Sequence, residues 1–215
     1  MSRDLPETNC CLNLNALAGD RTGKGGIFMA KMRKLKVHLL TEERFKPFGT
    51  LISALNREPD FRAKSGSQLW DMECEIDGTL QLGFTRVNYQ PLRFSLMEQH
   101  YGVTQGFIPM GGPAAVVGLA PPTPPGILPK PEDVCAFLVD GTKGYILARN
   151  TWHSLDRFPV YPPFGDWVTL TDKETTEDLK AAGPEQGGVN LTKTIDFEEL
   201  YDVVFEFEMQ EIEPC

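Results

Sequence analysis

Apolar residues in this chain fall in short runs, and Gly, Pro, Asn or Asp occupy nearly every gap between them. Short apolar runs bounded by turn residues are the pattern of strands. After a polar loop between Asn56 and Ser67, the spacing predicts strands over Gln68–Cys74, Leu80–Asn88, Arg93–Gln99, Gln105–Met110, Ala114–Leu119, Val134–Leu138, Gly144–Ala148, Val168–Thr171 and Asp202–Met209. Near the last of these, Tyr201, Val203, Phe205, Phe207 and Met209 share one face, and Asp202, Glu206 and Glu208 the other. Val204 is the exception. Upstream, Val37–Leu40 reads as a short strand. Thr41 then caps a helix whose first turn holds Glu42 and Glu43, and Pro47 and Gly49 end it. Thr50–Ile52 follows as another strand. Nine or so short strands with one or two short helices describe an all-β barrel or sandwich.

Composition keeps that picture. A chain of 215 residues with 41% hydrophobic residues can fill one barrel core, and its 20 Gly and 17 Pro suit a turn-rich fold. Folding is expected from residue 34 to 215 as one domain. Residues 1–33 are polar and aperiodic and read as a flexible extension, inside which Met29 and Met32 are alternative starts. The net charge of -9 disfavours nucleic acid as a partner. It is uneven: from Asp172 onward thirteen acids face three lysines, which reads as a solvated acidic C-terminal segment. Five cysteines without a C-x-x-C pair predict reduced thiols and a cytoplasmic protein. No apolar run has the roughly 20 residues of a membrane helix, and the N-terminus lacks a signal-peptide core. No glycine-rich phosphate loop occurs, so no nucleotide or organic cofactor is expected.

Three histidines carry most of the candidate chemistry. His38, among Val37, Leu39 and Leu40, reads as structural. Glu98 and His100 stand two apart, so in a strand both leave the same face, and Gln105 follows just past the Tyr101-Gly102 turn. That places an acid/base, a candidate ligand and an amide at one barrel mouth, or else the polar end of a plain hairpin. His153 follows Trp152, which can hold the backbone still; a histidine merely packed on aromatics is the alternative.

These stretches resemble the ureidoglycolate lyase family. Leu40-Thr41-Glu42-Glu43-Arg44-Phe45-Lys46-Pro47-Phe48-Gly49 is similar to its opening segment. Glu98-Gln99-His100 with Gln105-Gly106-Phe107-Ile108-Pro109-Met110 resembles its E-R-H…Q-A-F-I-P-L segment. Ala136-Phe137-Leu138 with Gly141, Gly144 and Tyr145 resembles its R-A-F…G-x-G-V segment, and Asn150-Thr151-Trp152-His153 its G-T-W-H box. Asp166-Trp167-Val168-Thr169-Leu170 is similar to the acid and strand that follow. The departures are Gln99 for Arg, Thr104 and Gly106 for Ser and Ala, Asn150 for Gly and Ser154 for a second His. A proline-rich loop at Pro121–Gly126 and an insert at Asp156–Gly165 also set the chain apart.

The resemblance implies a cupin-like (RmlC-like) jelly-roll β-barrel, a homodimer, and a lyase that splits ureidoglycolate into glyoxylate and urea in allantoin and purine degradation. A related α-substituted hydroxy acid as substrate, or a non-catalytic metabolite-binding barrel, stays open. It implies His100, His153 and Glu98 as the catalytic groups. Gln105, Arg149, Lys143, Trp152 and Asp166 are expected to bind substrate, with Arg149 or Lys143 holding the carboxylate. It leaves room for a divalent metal, nickel or manganese, on His100, Gln105 and His153.

Overall fold

The computed structural model describes residues 30–182 and 188–209. Most of the expected N-terminal extension, with Cys10, Cys11 and Met29, and the end of the acidic segment, with Cys215, lie outside the described residues.

The chain opens with β1 (Lys31–Leu39), α1 (Glu42–Phe45) and β2 (Gly49–Ile52). Thr41 caps α1 as its sequence predicts, accepting from the Arg44 amide, and Phe45 is fully buried. Strand β1 begins at Lys31, three residues inside the expected extension, because residues 31–36 pair in parallel with 203–208. A two-strand ribbon of β3 (Phe61–Arg62) and β4 (Gln68–Leu69) follows. The strand expected over Gln68–Cys74 stops at Leu69: residues 70–74 keep the alternation, but the Asp71 amide donates to the Asp60 carboxylate and the Asp71 carbonyl accepts from Arg57, so side chains take the place of a partner strand.

Next come β5 (Leu80–Asn88), β6 (Arg93–Phe94), β7 (Leu96–His100), β8 (Gln105–Pro109) and β9 (Ala115–Ala120). They are followed by β10 (Cys135–Val139), β11 (Gly144–Leu147), β12 (Trp152–Ser154), β13 (Phe158–Pro159) and β14 (Phe164–Asp172). The segment read as a solvated acidic tail instead contains α2 (Lys173–Ala182), β15 (Thr192–Asp196) and α3 (Phe197–Tyr201) ahead of β16 (Val203–Glu208). That makes three α-helices among the described residues rather than one or two. Their acids are absorbed locally: the Asp196 side chain caps α3, and Asp178 accepts from the backbone amides of Val189, Asn190, Leu191 and Thr192 at 2.9–3.2 Å.

Two sheets result. The larger runs β15-β7-β12-β9-β10-β1-β16-β6, with β13 beside β9; the smaller runs β2-β11-β8-β14-β5. Strands β6 and β7 are joined through Ser95 alone, yet stand near opposite ends of the larger order. That sheet therefore curls round on itself. Alternation along β9 and β10 divides the core. Val116, Ala120, Ala136 and Leu138 face the enclosed side with Trp152, Phe94 and Phe205. Val117, Leu119, Phe137 and Val139 face the smaller sheet and meet Phe107, Tyr145 and Trp167. Each fully buried side chain of this size contributes roughly 1.5–3 kcal/mol. Gly118 of β9 is required by this packing, since a Cβ there would collide with the Phe94 ring. The result is an all-β, jelly-roll-like half-barrel with few helices.

Candidate active site

Strands β7 and β12 are antiparallel neighbours, with His153 opposite Glu98. Period-two alternation does the sorting. Met97 and Trp152 point into the enclosed core, so Glu98, His100 and His153 point the other way, into the space between the sheets. There the His153 ring meets Phe107 edge-on, with centroids 6.0 Å apart. Gln105 of β8 lines the same small cavity as His100 and His153, beside Val103, Leu147 and Thr151.

Both histidines are fixed from behind. His153 Nδ1 lies 2.9 Å from the Ser154 carbonyl oxygen. A carbonyl only accepts, so Nδ1 carries the proton and Nε2 presents a lone pair to the cavity. His100 Nδ1 lies 2.8 Å from Thr192 Oγ1 on β15, the strand whose Thr192 sits opposite His100 in register. The two Nε2 atoms are 3.2 Å apart, and Glu98 Oε1 lies 3.6 Å from one and 3.7 Å from the other. Three ligand atoms thus face one point.

Burial, opposed by the nearby Glu98 charge, lowers the His153 pKa from 6.5 to about 4, so its ring is neutral near pH 7. For Glu98, burial pushes upward, but the His100 hydrogen bond and the charges of His153, His100 and Arg157 outweigh it and hold the carboxyl below its ordinary range. A neutral imidazole lone pair beside an ionised carboxylate is a general-base arrangement and equally a ligand set for a divalent cation. The geometry fits an ion: donors about 2.0–2.1 Å from a tetrahedral centre stand about 3.3 Å apart, close to the separations here. The Gln105 Oε1 atom is buried without a partner and is the remaining candidate donor.

The other expected substrate ligands are occupied elsewhere. Arg149 is clamped by Asp77 through two bonds of 2.7 and 2.8 Å and pairs with Glu75 at 3.1 Å. Lys143 is exposed in the turn between β10 and β11. Asp166 forms a two-pronged pair with Arg86 at 2.8 Å. Trp152 lies on the opposite face from His153 and donates its indole N–H to Thr123. His38 packs near Phe137 and Arg44, apart from the other histidines.

Sequence reasoning missed Arg157. It lies in the turn between β12 and β13, is only 7% exposed, and places its guanidinium carbon 4.3 Å from the centroid of Phe107. It was hidden in a proline- and aromatic-rich segment read as an insert. The one available signal was its position four residues after His153. A roomier surface groove beside α1, lined by Glu42, Glu43, Lys46, Asn56, Arg57 and Glu73, shares no residue with this site.

Two histidines and a glutamate thus turn inward from neighbouring strands of an all-β half-barrel, an arrangement that can serve acid–base or metal chemistry. The family model for ureidoglycolate lyase matches residues 32–191. The chain belongs to the ureidoglycolate lyase family. Among curated relatives, ureidoglycolate lyase of Pseudomonas aeruginosa (strain UCBPP-PA14) is 33% identical over 130 residues, covering 57% of this chain and 75% of that protein. Ureidoglycolate lyase of Azotobacter vinelandii is 28% identical over 160 residues, covering 71% and 89%. Among solved structures, RmlC from Streptococcus suis in complex with dTDP-D-xylose aligns over 60% of this chain and 61% of that one, at 13% identity and a TM-score of 0.29.

Proposed function

We propose that this protein cleaves the C–N bond of ureidoglycolate, releasing glyoxylate and urea. The observation that carries the reading is the inward-facing cluster of Glu98, His100 and His153 in a chain of this family. Ureidoglycolate is a carbinolamide: one carbon bears a carboxylate, a hydroxyl and a urea nitrogen. Its breakdown requires a base to take the hydroxyl proton and an acid to protonate the departing nitrogen. The Nε2 lone pair of His153, which faces His100 Nε2 at 3.2 Å, suits the first task. His100, hydrogen-bonded through Nδ1 to Thr192, suits return of the proton to nitrogen. Glu98 stabilises positive charge on either ring. Positioned acid–base groups are each worth about 10² to 10⁴ in rate. Alternatively, Glu98, His100, His153 and Gln105 would hold a divalent ion, nickel or manganese; the two Nε2 atoms would then serve as ligands in place of proton carriers, and the ion when bound would supply Lewis-acid polarisation of substrate oxygen.

The test is product formation from racemic ureidoglycolate, following glyoxylate and urea, with metal-stripped protein and with nickel- or manganese-loaded protein. Enantioselective release of both products is the expected result; no turnover in any metal state overturns the reading. The segment 156–165, which sets the Arg157 guanidinium over Phe107, the ring that also meets His153, favours a second reading, a related α-substituted hydroxy acid as substrate. A panel of carbinol acids separates the two.

The same reading includes one barrel domain and a homodimer. Supporting the dimer, edge strand β5 turns Leu80, Leu82 and Phe84 outward at 59%, 68% and 61% exposure, an apolar stripe of the kind that marks an interface. Free thiols at Cys74 and Cys135 fit a cytoplasmic location, and no helix among the described residues is long and apolar enough to cross a membrane.

A further inference from the structure

Three buried hydrogen-bond donors around Phe107 lack a hydrogen-bond partner among the described residues. They are Arg157 Nε, the Tyr145 hydroxyl and the Trp167 indole N–H. Arg157 is 7% exposed, Tyr145 0% and Trp167 2%. They belong to one group of rings. Tyr145 lies 5.3 Å from Phe107 and 6.5 Å from Trp167 between centroids, and the Arg157 guanidinium sits over Phe107 at 4.3 Å and over Trp167 at 5.7 Å. Among the described residues no carboxylate forms an ion pair with Arg157, although its charge reaches both Glu98 and His153. The nearest acid in sequence, Asp156, is turned aside and accepts from Gln90 at 2.9 Å.

Such an arrangement is expensive unless something completes it. A buried cation without a counter-ion costs several kcal/mol, and each buried donor left unpaired adds to that. The aromatic faces compensate only in part. Three donors, one of them charged, with the Tyr145 hydroxyl oxygen beside Arg157 as the one acceptor among them, specify a ligand that is rich in acceptors and negatively charged. A carboxylate has that character: acceptor-only oxygens, matched by the planar fork of arginine. Phe107 packs against both His153 and Arg157, which sets the guanidinium one ring away from the Glu98, His100 and His153 cluster.

We infer that Arg157, with the Tyr145 hydroxyl and the Trp167 indole, forms the cradle that takes the carboxylate of a small 2-hydroxy acid while its hydroxyl-bearing carbon faces Glu98, His100 and His153. This rests on the proposed hydroxy-acid chemistry of the same site. It makes Arg157 the residue that selects acids over their neutral amides.

Calorimetric titration of the full-length protein with glycolate and with its neutral isostere glycolamide tests the cradle. Wild type binds glycolate roughly tenfold to a hundredfold tighter than glycolamide. Arg157→Gln loses that preference, and Tyr145→Phe weakens glycolate severalfold while leaving glycolamide nearly unchanged. Should Arg157→Gln fail to fold, Arg157→Lys takes its place; it keeps the charge but not the fork, and is expected to bind glycolate with intermediate affinity. A glycolate preference retained in full by the arginine variant that folds, or none in wild type, overturns the cradle. Turnover of ureidoglycolate, measured separately, tells the two ideas apart. Arg157-dependent glycolate binding without turnover leaves the cradle and removes the lyase reading; turnover with Arg157-independent binding does the reverse.

Discussion

His153 concentrates the chemistry of the site in one ring nitrogen. Its Nδ1 proton is committed to the Ser154 carbonyl, so the reactivity of Nε2 is fixed by a backbone atom rather than by a second side chain. His153→Ala is expected to lower kcat/KM by about 10² to 10⁴ with circular dichroism unchanged; near-normal activity would remove His153 from the mechanism. Its protonation also makes stability depend on pH. The folded-state pKa, about 4, lies below the ordinary 6.5, so below 6.5 the unfolded chain takes up the proton first. Metal-stripped protein should therefore lose stability as pH falls from 6.5 towards 4. In His153→Ala that part of the slope should vanish, as read from denaturation midpoints at pH 7 and pH 5. Parallel slopes in the two proteins would show that His153 titrates normally.

At the scale of elements, the site depends on a strand that contributes no reactive group. Asp178 on α2 gathers four successive amides, from Val189 to Thr192, and so sets the start of β15, whose Thr192 then holds His100. Asp178→Ala is expected to cost about 1–3 kcal/mol of stability and to speed hydrogen exchange at residues 189–195. Unchanged exchange there would uncouple α2 from the site. This arrangement also explains what sequence could and could not reveal. Strands β7, β8 and β10 were legible because apolar runs and turn residues bracket them, and β7 thereby put Glu98 and His100 on one face. Strands β12 and β13 span only three and two residues, too short for any period to register. The span from α2 to α3 was obscured by its acids, of which Asp178 and Asp196 turn their carboxylates onto nearby backbone amides instead of into water. Arg149 looked available because its partner, Asp77, is 72 residues away, whereas the distant ring that holds Arg157, Phe107, gave no sign of it.

For the whole molecule, occupancy of the site should be felt as stability. A ligand that binds only the folded state at about 100 times its Kd stabilises by about 2.7 kcal/mol. Nickel or manganese should therefore raise the melting temperature of stripped protein, and His100→Ala should abolish the rise. Absence of any shift in wild type would show that the cluster works through protons alone. On the outer face, Leu82→Lys with Phe84→Glu should leave the fold intact and convert a dimer into a monomer by light scattering. A monomeric wild type would leave the β5 stripe without that partner.

Strand β1 is held between β10 and β16, both in parallel, and β16 ends only at Glu208. A chain emerging from the ribosome therefore leaves residues 31–36 of β1 without their β16 partner for the whole time the next 160-odd residues take to appear. Until β15 and β16 arrive, His100 lacks its support and β1 carries unmatched amides and carbonyls that invite pairing with other chains. Premature termination after α2 should thus yield aggregates rather than a weakened enzyme. The residues of the reactive centre are made well before the strands that complete its support, β15 and β16.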